Sequence, residues 1–380
     1  MHDDTYGHTP AHKAFDLWDV YGVGYDEERA SRKKLKIGII GAGGVTQSKH
    51  LPAIWRLKTI WEPVEVPAIV KRNKRDGQKV AEMYGCHWYA SYKDMLRHEE
   101  LDGVIVAGPD DLHHEHTMAC LESGLHVLVE KPITRSLVQS EEMCRTAEAR
   151  NLVLMTVANK RYSPPYRRAK KFIVEGPVTN PALCVAKFNL GYDYVWLLEQ
   201  GTIHIFDITR YLMGDVSSVF AIGVNKYNRN LVEYPIDNVQ ISLQFASGSV
   251  GSVYTSATAI SFKPWERVEI YGNKCWFAVE DQYELILYDN EVGPAKHWRP
   301  VIPNTLIFDE EFGGFMGMID NFLQAIRGVE KPMVTGWDGH RAYEINVASH
   351  LSMHRQAVVP LPLDPGQADA EALDFLRKKE

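Results

Sequence analysis

Short apolar runs alternate with helical patterns from residue 35 to about residue 155. The runs that predict strands are Leu35–Ile40, Val64–Val70, Gly103–Ala107 and Leu125–Val129. The spacing of apolar residues predicts helices near Gln47–Leu57, Arg75–Tyr84, Leu112–Ser123 and Leu137–Arg150. Strands that alternate with helices in this way form right-handed βαβ units, so we expect an α/β domain built on a parallel sheet.

The pattern changes after about Met155, where strand-like runs follow one another. Two helices are predicted first, over Pro165–Glu175 and Thr202–Met213, and two more come late, over Phe312–Ile326 and Gly339–Met353. Between them lie the predicted strands Val219–Val224, Val239–Phe245, Val250–Ser256, Arg267–Tyr271, Cys275–Val279 and Glu284–Tyr288. Their alternation, and the Gly or Asn turns between them, predict a mostly antiparallel sheet.

The length of 380 residues favours two domains over a single core. The patterns predict an N-terminal arm over residues 1–34, a first domain over 35–155, an α+β domain over 156–355 and a C-terminal tail over 356–380. The arm shows no sustained periodicity and ends in the charged residues Arg32, Lys33 and Lys34.

The composition is that of an ordinary soluble globular chain, with 45% hydrophobic and 24% charged residues. A net charge of -7 leaves no basic footprint for a nucleic-acid backbone. No apolar run reaches membrane-spanning length and the polar start lacks an apolar signal core, so we expect a cytoplasmic protein. Five scattered cysteines without a C-x-x-C pair, and His113, His114 and His116 without a ligand spacing, indicate neither a disulfide framework nor a metal site.

A glycine-rich loop follows the first predicted strand directly. Gly41, Gly43 and Gly44 precede Val45 at the start of the next helix, while Thr46 occupies the third glycine position of a G-x-G-x-x-G motif. Glycines allow a tight turn and the close approach of a pyrophosphate, whose charge is met by free N–H groups at the helix start. The loop therefore predicts a dinucleotide site in preference to a purely structural turn.

Two basic residues follow the second predicted strand, where the specificity for the nicotinamide cofactor is usually decided. An acidic side chain there would bind the ribose diol of NAD, whereas Lys71 and Arg72 suit the 2′-phosphate of NADP. We therefore favour NADP over NAD as the cofactor. The alternative is that the two cations belong only to a solvated turn.

The segment His126–Pro132, H-V-L-V-E-K-P, sets a lysine just past a buried apolar strand. Pro132 has no N–H and pushes Lys131 into extended geometry. Open α/β sheets bind their ligands at the carboxyl edge of the strands, so Lys131 is positioned for chemistry. The alternative is a surface lysine in a loop, and the glycine loop upstream favours the chemical role.

Several motifs in one order carry a resemblance to a known family. They are Gly41–Ala53, Gly108–His113, His126–Pro132, Asn159–Tyr162, His204–Asp207, Arg210–Leu212, Phe322–Gly328 and Asp338–Ala342. Together they resemble the glucose–fructose oxidoreductase and inositol dehydrogenase family, often called Gfo/Idh/MocA, over roughly residues 35 to 355. The resemblance implies a doubly wound Rossmann sheet, an α+β domain with an open, mostly antiparallel sheet, and homodimers or homotetramers formed through the open sheets.

The resemblance also implies hydride transfer between a nicotinamide and a hydroxyl-bearing carbon of a sugar, cyclitol or related polyol. By resemblance, Lys131 lies beside the nicotinamide and hydrogen-bonds the reacting oxygen, and His204 exchanges the hydroxyl proton. Many family members have an aspartate four residues before this histidine, where this chain has Gln200, preceded by Glu199. Gln200 can orient an imidazole or a substrate but cannot accept a proton. Asp207 is another carboxylate expected near His204, and an internal ion pair is the alternative for it.

Further site residues follow from the resemblance alone. The loop with Asp110 and His113 borders the nicotinamide in the family, and Glu130 precedes Lys131 in the cofactor-binding E-K-P element. A second group falls at the domain junction, where family members line the sugar site: Asn159, Arg161, Tyr162 and Tyr166. With Gln200 and His204, this group makes up the predicted substrate site.

Three functions are open on the sequence. We expect a dehydrogenase that prefers NADP and acts on a small-molecule carbohydrate or polyol. The first alternative is a glycosidase of the same fold that retains its nicotinamide and uses transient oxidation to drive elimination. The second alternative is a nonenzymatic regulator that senses the dinucleotide, although such a protein has little need for both Lys131 and His204.

Overall fold

The computed structural model describes residues 30–59, 61–190, 196–227, 236–259, 265–290, 292–299 and 313–377. Most of the predicted N-terminal arm, residues 1–29, lies outside these ranges. No helix among the described residues is long and apolar enough to cross a membrane. Two sheets organise the molecule, one parallel and one mostly antiparallel.

The first part of the chain builds the parallel sheet. Its strands are β1 (Leu35–Ile40), β2 (Val64–Glu65), β3 (Ala68–Val70), β4 (His87–Tyr89), β5 (Gly103–Val106), β6 (His126–Val129) and β7 (Leu154–Thr156). The helices between them are α1 (Leu51–Thr59), α2 (Lys74–Tyr84), α3 (Tyr92–His98), α4 (His113–Glu122) and α5 (Leu137–Ala149). The strand order is β4-β3-β1-β5-β6-β7, with β2 beside β1, and every pair is parallel. This order confirms the predicted Rossmann sheet.

Short elements account for the differences from the predicted first domain. The predicted strand Val64–Val70 is in fact the two strands β2 and β3, and Pro67, which has no N–H to donate, lies between them. Strands β4 and β7 and helix α3 were not predicted. Strands of three residues carry too little alternation to be distinguished from loops.

The second sheet has nine strands, and helices pack on only one of its faces within the described residues. Its strands are β8 (Leu183–Asn189), β9 (Val216–Val224), β10 (Asn238–Phe245), β11 (Val250–Ser256), β12 (Glu266–Tyr271), β13 (Trp276–Glu280), β14 (Glu284–Tyr288), β15 (Lys296–Trp298) and β16 (Val359–Pro360), with helices α6 (Pro164–Val174) and α7 (Ile203–Met213). The order is β15-β14-β13-β12-β8-β11-β10-β9-β16, and only the β8–β11 pair is parallel. Side chains of β10 alternate between buried and exposed, as expected for a sheet with one open face. The predicted open, mostly antiparallel sheet is confirmed.

The late helices join the two sheets. Helix α8 (Phe315–Ile326) packs on the Rossmann domain, where Ile319 and Phe322 share a core with Ile39 and Leu57. Helix α9 (Gly336–Arg355) packs against both α5 and β9. The predicted boundary between residues 155 and 156 falls inside β7, the last strand of the parallel sheet, and the late helices pack on both sides of it. The domain limits stay a prediction.

The predicted C-terminal tail is a folded part of the molecule. Strand β16 pairs with β9, and helix α10 (Pro365–Arg377) packs against α5 and α9. Asp369 accepts hydrogen bonds from the backbone N–H groups of Leu137 (2.9 Å) and Val138 (3.0 Å), and from the Ser136 hydroxyl (2.6 Å). Helix α10 thus supplies an acceptor to the first turn of α5, whose N–H groups have no partner within their own helix.

Replacing Asp369 with alanine should lower the free energy of unfolding by about 1–2 kcal/mol, since a helix start loses its capping carboxylate. Chemical denaturation of the wild type and the variant measures the difference. Glu371→Gln is the control on the same helix, because Glu371 makes only a partly exposed ion pair with Arg355, and it should cost less than about 1 kcal/mol. Equal losses in the two variants would contradict a capping role for Asp369.

Candidate functional site

The glycine loop between β1 and α1 brings two backbones into close contact. Gly41 has a φ of +101°, and a Cβ there would lie 2.3 Å from the Ala107 carbonyl oxygen. By contrast, apart from the adjoining backbone, no atom of the residues that the structure describes lies within 4 Å of the positions that Cβ atoms would take at Gly43 and Gly44. Gly41 is therefore required by the fold itself, whereas Gly43 and Gly44 leave space for a bound group.

Thr46 replaces the third glycine of the motif by making a hydrogen bond. Its buried hydroxyl donates to the Gly41 carbonyl at 2.6 Å, and the Gln47 side chain donates to the Ala42 carbonyl at 3.0 Å. The turn Thr46–His50 is π-helical and continues into α1. The departure from the motif thus ties the glycine loop to the helix that follows it.

A cavity of about 640 Å³ lies beside the glycine loop. It is lined by Gly41–Gly43, by Val70–Asn73 after β3, by Ser91 and Tyr92, and by Gly108 and His116. The cavity has the position in which a Rossmann fold holds a dinucleotide, at the carboxyl ends of the central strands. Its size and the open space over Gly43 and Gly44 fit such a cofactor.

The two cations predicted to bind a 2′-phosphate have different surroundings. Lys71 Nζ donates a hydrogen bond to the Ala42 carbonyl at 2.8 Å and so holds the glycine loop. Arg72 is exposed and makes no hydrogen bond or ion pair within the described ranges. Arg72 is therefore the cation that is available to a phosphate.

Lys131 extends from the carboxyl end of β6 toward the second domain. Its Nζ donates to the main-chain carbonyl of Gln200 at 2.8 Å, and its backbone N–H donates to Glu130 Oε2 at 3.1 Å. The Lys131–Pro132 peptide bond is cis. The lysine that the sequence placed at the sheet edge thus contacts the turn that leads into α7.

A buried histidine, which the sequence analysis did not assign, holds Glu130. His50 Nε2 lies 2.8 Å from Glu130 Oε1, and the His50 side chain is fully buried. Burial by itself would raise the pKa of Glu130, but the hydrogen bond and charge of His50 and the neighbouring Lys131 bring this pKa below its usual value. His50 lies within the Gly41–Ala53 motif, so its position in sequence was a signal, whereas its partner was not visible.

His204 lies in the first turn of α7, and its imidazole makes no hydrogen bond within the part of the chain that the structure describes. Burial, together with the positive charges of Lys131 and Lys160, lowers the pKa of His204 well below 6.5. Its imidazole is therefore neutral at neutral pH and has a lone pair with which to accept a proton.

Gln200 connects the loop after β5 to the turn before α7, and its side chain makes no hydrogen bond to His204 among the described residues. Its Nε2 donates to Asp110 Oδ2 at 2.5 Å, and its Oε1 accepts from the Trp196 backbone N–H at 3.1 Å. Its main-chain oxygen is the acceptor for Lys131. Asp110, predicted to bind cofactor, here fixes Gln200.

Asp207 and Arg161 form a buried ion pair, which is the alternative that the sequence left open for Asp207. Arg161 Nε and Nη2 donate to the two Asp207 oxygens at 2.9 and 2.6 Å, and Nη2 also reaches Asp338 at 3.0 Å. Burial raises the pKa of Asp207, although Arg161 opposes the shift. The predictions that Asp207 supports His204 and that Arg161 binds substrate have no contact in their favour, because each side chain is occupied by the other.

Two tyrosines predicted to bind substrate are also engaged inside the protein. The Tyr162 hydroxyl donates to Asn321 Oδ1 at 2.9 Å, and the fully buried Tyr166 hydroxyl donates to Glu266 Oε1 at 3.2 Å. Glu266 also pairs with the buried Lys160. These partners lie 100 or more residues away in sequence, so no local pattern announces them.

Asn159 and His113 differ in what they leave available. Asn159 Nδ2 donates to the Gly313 carbonyl at 2.5 Å, while its buried Oδ1 has no partner among the described residues. His113 lies within hydrogen-bonding distance of two backbone carbonyls, Pro132 at 2.8 Å and Gly108 at 3.1 Å. His113 thus bridges the loops after β5 and β6, and Asn159 leaves one buried amide oxygen without a partner among the described residues.

The residues at this edge can together polarise an oxygen and move its proton. Lys131 supplies an N–H donor, and His204 supplies a neutral base at the start of the helix that follows the turn contacted by Lys131. Lys131 follows β6 and so lies at the edge of the Rossmann sheet where the glycine loop opens. No group of three histidine, cysteine or acidic side chains within the described ranges is arranged to hold a metal ion.

Comparison with known proteins covers both domains. Residues 35–158 match an oxidoreductase family with an NAD-binding Rossmann fold, and residues 197–361 match the C-terminal alpha/beta domain of the same family, GFO_IDH_MocA. The chain is 24% identical over 345 residues to myo-inositol 2-dehydrogenase of Thermotoga maritima, which covers 86% of this chain and 98% of the relative. It is 26% identical over 346 residues to inositol 2-dehydrogenase of Mycolicibacterium gilvum, which covers 88% and 94%. The structure of a levoglucosan dehydrogenase in complex with NADH has a TM-score of 0.78 at 21% identity, over 87% of this chain and all of that chain.

Proposed function

Because this chain belongs to the Gfo/Idh/MocA oxidoreductase family, we propose that it is a sugar or cyclitol dehydrogenase. The family matches confirm the resemblance that the sequence motifs carry. The reaction would transfer hydride between a nicotinamide dinucleotide and a hydroxyl-bearing carbon. The relatives named as inositol dehydrogenases, and the structural neighbour named as a levoglucosan dehydrogenase, support this substrate class.

One observation carries the proposal. The Lys131 side chain extends from the carboxyl end of β6, and its ammonium donates a hydrogen bond to the carbonyl of Gln200. Gln200 lies in the turn just before the helix that contains His204. The Lys131 charge also lowers the pKa of His204, which supports a donor and a neutral base lying close together in our proposal. A dehydrogenase acting on an alcohol needs this pair of groups at one oxygen atom.

In this proposal, different residues of the chain bind the cofactor, transfer the proton and hydrogen-bond the reacting oxygen. When bound, the nicotinamide accepts or supplies the hydride, and Gly41–Gly44 and the cavity beside Lys71 would hold the dinucleotide. In the oxidation direction, His204 takes the proton of the substrate hydroxyl as the carbon loses its hydride. Lys131 donates a hydrogen bond to the same oxygen, which becomes the carbonyl oxygen of the product.

Two further residues support these roles in our proposal. Asn159 Oδ1, buried and without a partner among the residues described, would accept a hydrogen bond from a second substrate hydroxyl. His50 would act through Glu130, which receives the Lys131 backbone N–H and so fixes the strand end from which the lysine extends.

Lys131→Met should lower kcat by about 10²-fold or more while dinucleotide binding persists, because the donor to the reacting oxygen is lost. Nicotinamide absorbance across a sugar and cyclitol panel gives kcat, and quenching of dinucleotide fluorescence gives binding. His204→Gln should have a similar effect on kcat. Full turnover by either variant, or no turnover of any compound by the wild type, would contradict the proposal.

The pH dependence tests the role of His204 as the base. Because the pKa of His204 lies well below 6.5, the imidazole stays neutral when the pH drops from 7 to 6.5. The oxidation rate should therefore decrease through protonation of His204 only at a pH well below 6.5. His204→Gln should remove that decrease. The control is His340→Gln, since His340 is also buried with a lowered pKa but donates or accepts a hydrogen bond with Ser140, away from the sheet edge.

We further propose a preference for NADP over NAD, supported by Arg72, which has no protein partner in the described ranges. Arg72→Leu should lower kcat/KM with NADP by about 10–100-fold, the worth of a charge-assisted hydrogen bond, and leave kcat/KM with NAD unchanged. Lys74→Leu, an exposed lysine at the start of α2, is the matched control and should change neither value. Lys71→Met should lower both, since Lys71 holds the glycine loop. An equal effect of Arg72→Leu on both cofactors would argue against the preference.

We also propose that the open face of the second sheet forms a homo-oligomer. Ile222 and Tyr254 flank Gln240 in register on that face, and they are 59% and 47% exposed. The double variant Ile222→Lys/Tyr254→Lys should reduce the mass measured by analytical ultracentrifugation to that of a monomer. A double variant of two exposed valines on helices outside that sheet, Val138→Lys/Val174→Lys, should leave the mass unchanged. A wild type that sediments as a monomer would contradict this proposal.

A further inference from the structure

A charged cluster outside the proposed chemistry joins the loop after Lys131 to the turn before α7. Arg135 Nε donates to Glu199 Oε1 at 2.9 Å, and the Arg135 guanidinium lies 3.8 Å from the centre of the Trp196 ring. Glu199 is only 4% exposed, although the Arg135 side chain is 39% exposed. We refer to Arg135, Trp196 and Glu199 as the Arg135 cluster.

The Arg135 cluster is connected to Lys131 through Gln200, the residue after Glu199. The main-chain oxygen of Gln200 accepts a hydrogen bond from the Lys131 ammonium, and its side chain donates one to Asp110. The turn Leu197–Thr202 that contains both Glu199 and Gln200 is π-helical, a form that occurs frequently at functional sites. A shift of Glu199 would therefore move the carbonyl that holds Lys131.

Resting on the proposed function, we propose that Arg135 and Glu199 are positioning residues whose ion pair, stacked on Trp196, fixes the Gln200 carbonyl and thereby the Lys131 ammonium relative to His204. Neither residue needs to touch the reacting atoms. Their effect is exerted across the domain junction, because Arg135 follows β6 of the Rossmann sheet and Glu199 precedes α7. Small displacements of a positioned donor have large effects on rate.

The charge of Glu199 makes this positioning depend on pH. Burial raises the pKa of Glu199 to about 7, the Arg135 charge opposes the shift, and the Asp110 carboxylate adds to it. Below about pH 7 the carboxyl is protonated and its attraction to Arg135 weakens, and above about pH 7 the ion pair is complete. Positioning therefore strengthens as pH rises through 7. The titration of His204 lies well below 6.5, so the two transitions are separable.

The test is Glu199→Gln, which keeps the shape of the side chain and fixes it in an uncharged state. Above pH 7, kcat should fall by about tenfold with the KM for the cofactor unchanged, as expected when a donor is displaced by less than an ångström. The wild-type inflection near pH 7 should disappear in the variant, while the lower transition assigned to His204 should persist. Arg135→Met should also remove the inflection near pH 7, because the partner of Glu199 is lost. Arg135→Lys, which retains the positive charge, should keep part of it.

Glu62→Gln is the matched control. Glu62 is buried and paired with an arginine, Arg327, at 2.6 Å, but it precedes β2 at the opposite end of the parallel strands. This variant should keep the inflection near pH 7 even if it lowers thermal stability. An inflection that survives in Glu199→Gln, or one that Glu62→Gln also removes, would overturn the proposal.

A second readout does not require turnover. Lys131 should react faster with trinitrobenzenesulfonate in Glu199→Gln than in the wild type, by several-fold at one pH above 7, as followed by mass spectrometry of the labelled peptide. Glu62→Gln should label like the wild type. Unchanged labelling of Lys131 in Glu199→Gln would overturn the positioning role, whereas faster labelling in an enzyme that oxidises no sugar or polyol would show that only the proposed substrate class is wrong.

Discussion

The hydrogen bond from the Lys131 ammonium to the Gln200 main-chain oxygen is the interaction on which the site depends. It joins the carboxyl end of a parallel strand to the turn before a helix that packs on the other sheet. The donor, Lys131, follows a strand of one sheet, and the base, His204, belongs to a helix on the other. This hydrogen bond ties the two together. The acceptor is a main-chain atom, so no substitution at position 200 removes it directly, and only a change in the path of the turn can do so.

Buried ion pairs hold the surroundings of this contact in place. Lys160 pairs with Glu266, Arg161 with Asp207, and both pairs are almost completely buried. A buried pair contributes little to net stability when intact, but breaking it by removing one partner typically costs about 3–5 kcal/mol. The pairs therefore resist partial rearrangement. Lys160 has a further effect, because its charge and that of Lys131 both lower the pKa of His204.

Features that depend on local pattern could be predicted from the sequence. The Rossmann sheet, the glycine loop and the location of Lys131 past β6 each follow from an apolar run and the residues that end it. Features that depend on a distant partner could not. Asp207 had two interpretations until Arg161, 46 residues away, was seen to contact it, and His50 gained a role only through Glu130, 80 residues away. The third glycine position illustrates a milder case, since the motif marks Thr46 as a departure but does not reveal its hydrogen bond to Gly41.

The packing of α8 on the Rossmann core has a consequence for the order in which the chain matures. During synthesis the strands of the parallel sheet emerge first, yet two parts of their surroundings come much later in the chain. They are α8, which shares a core with Ile39 and Leu57, and Asp369, which accepts hydrogen bonds from the first turn of α5. The second sheet must be made in between. The Rossmann half therefore lacks part of its core packing until late residues of the chain have been made, although its own strands are made first.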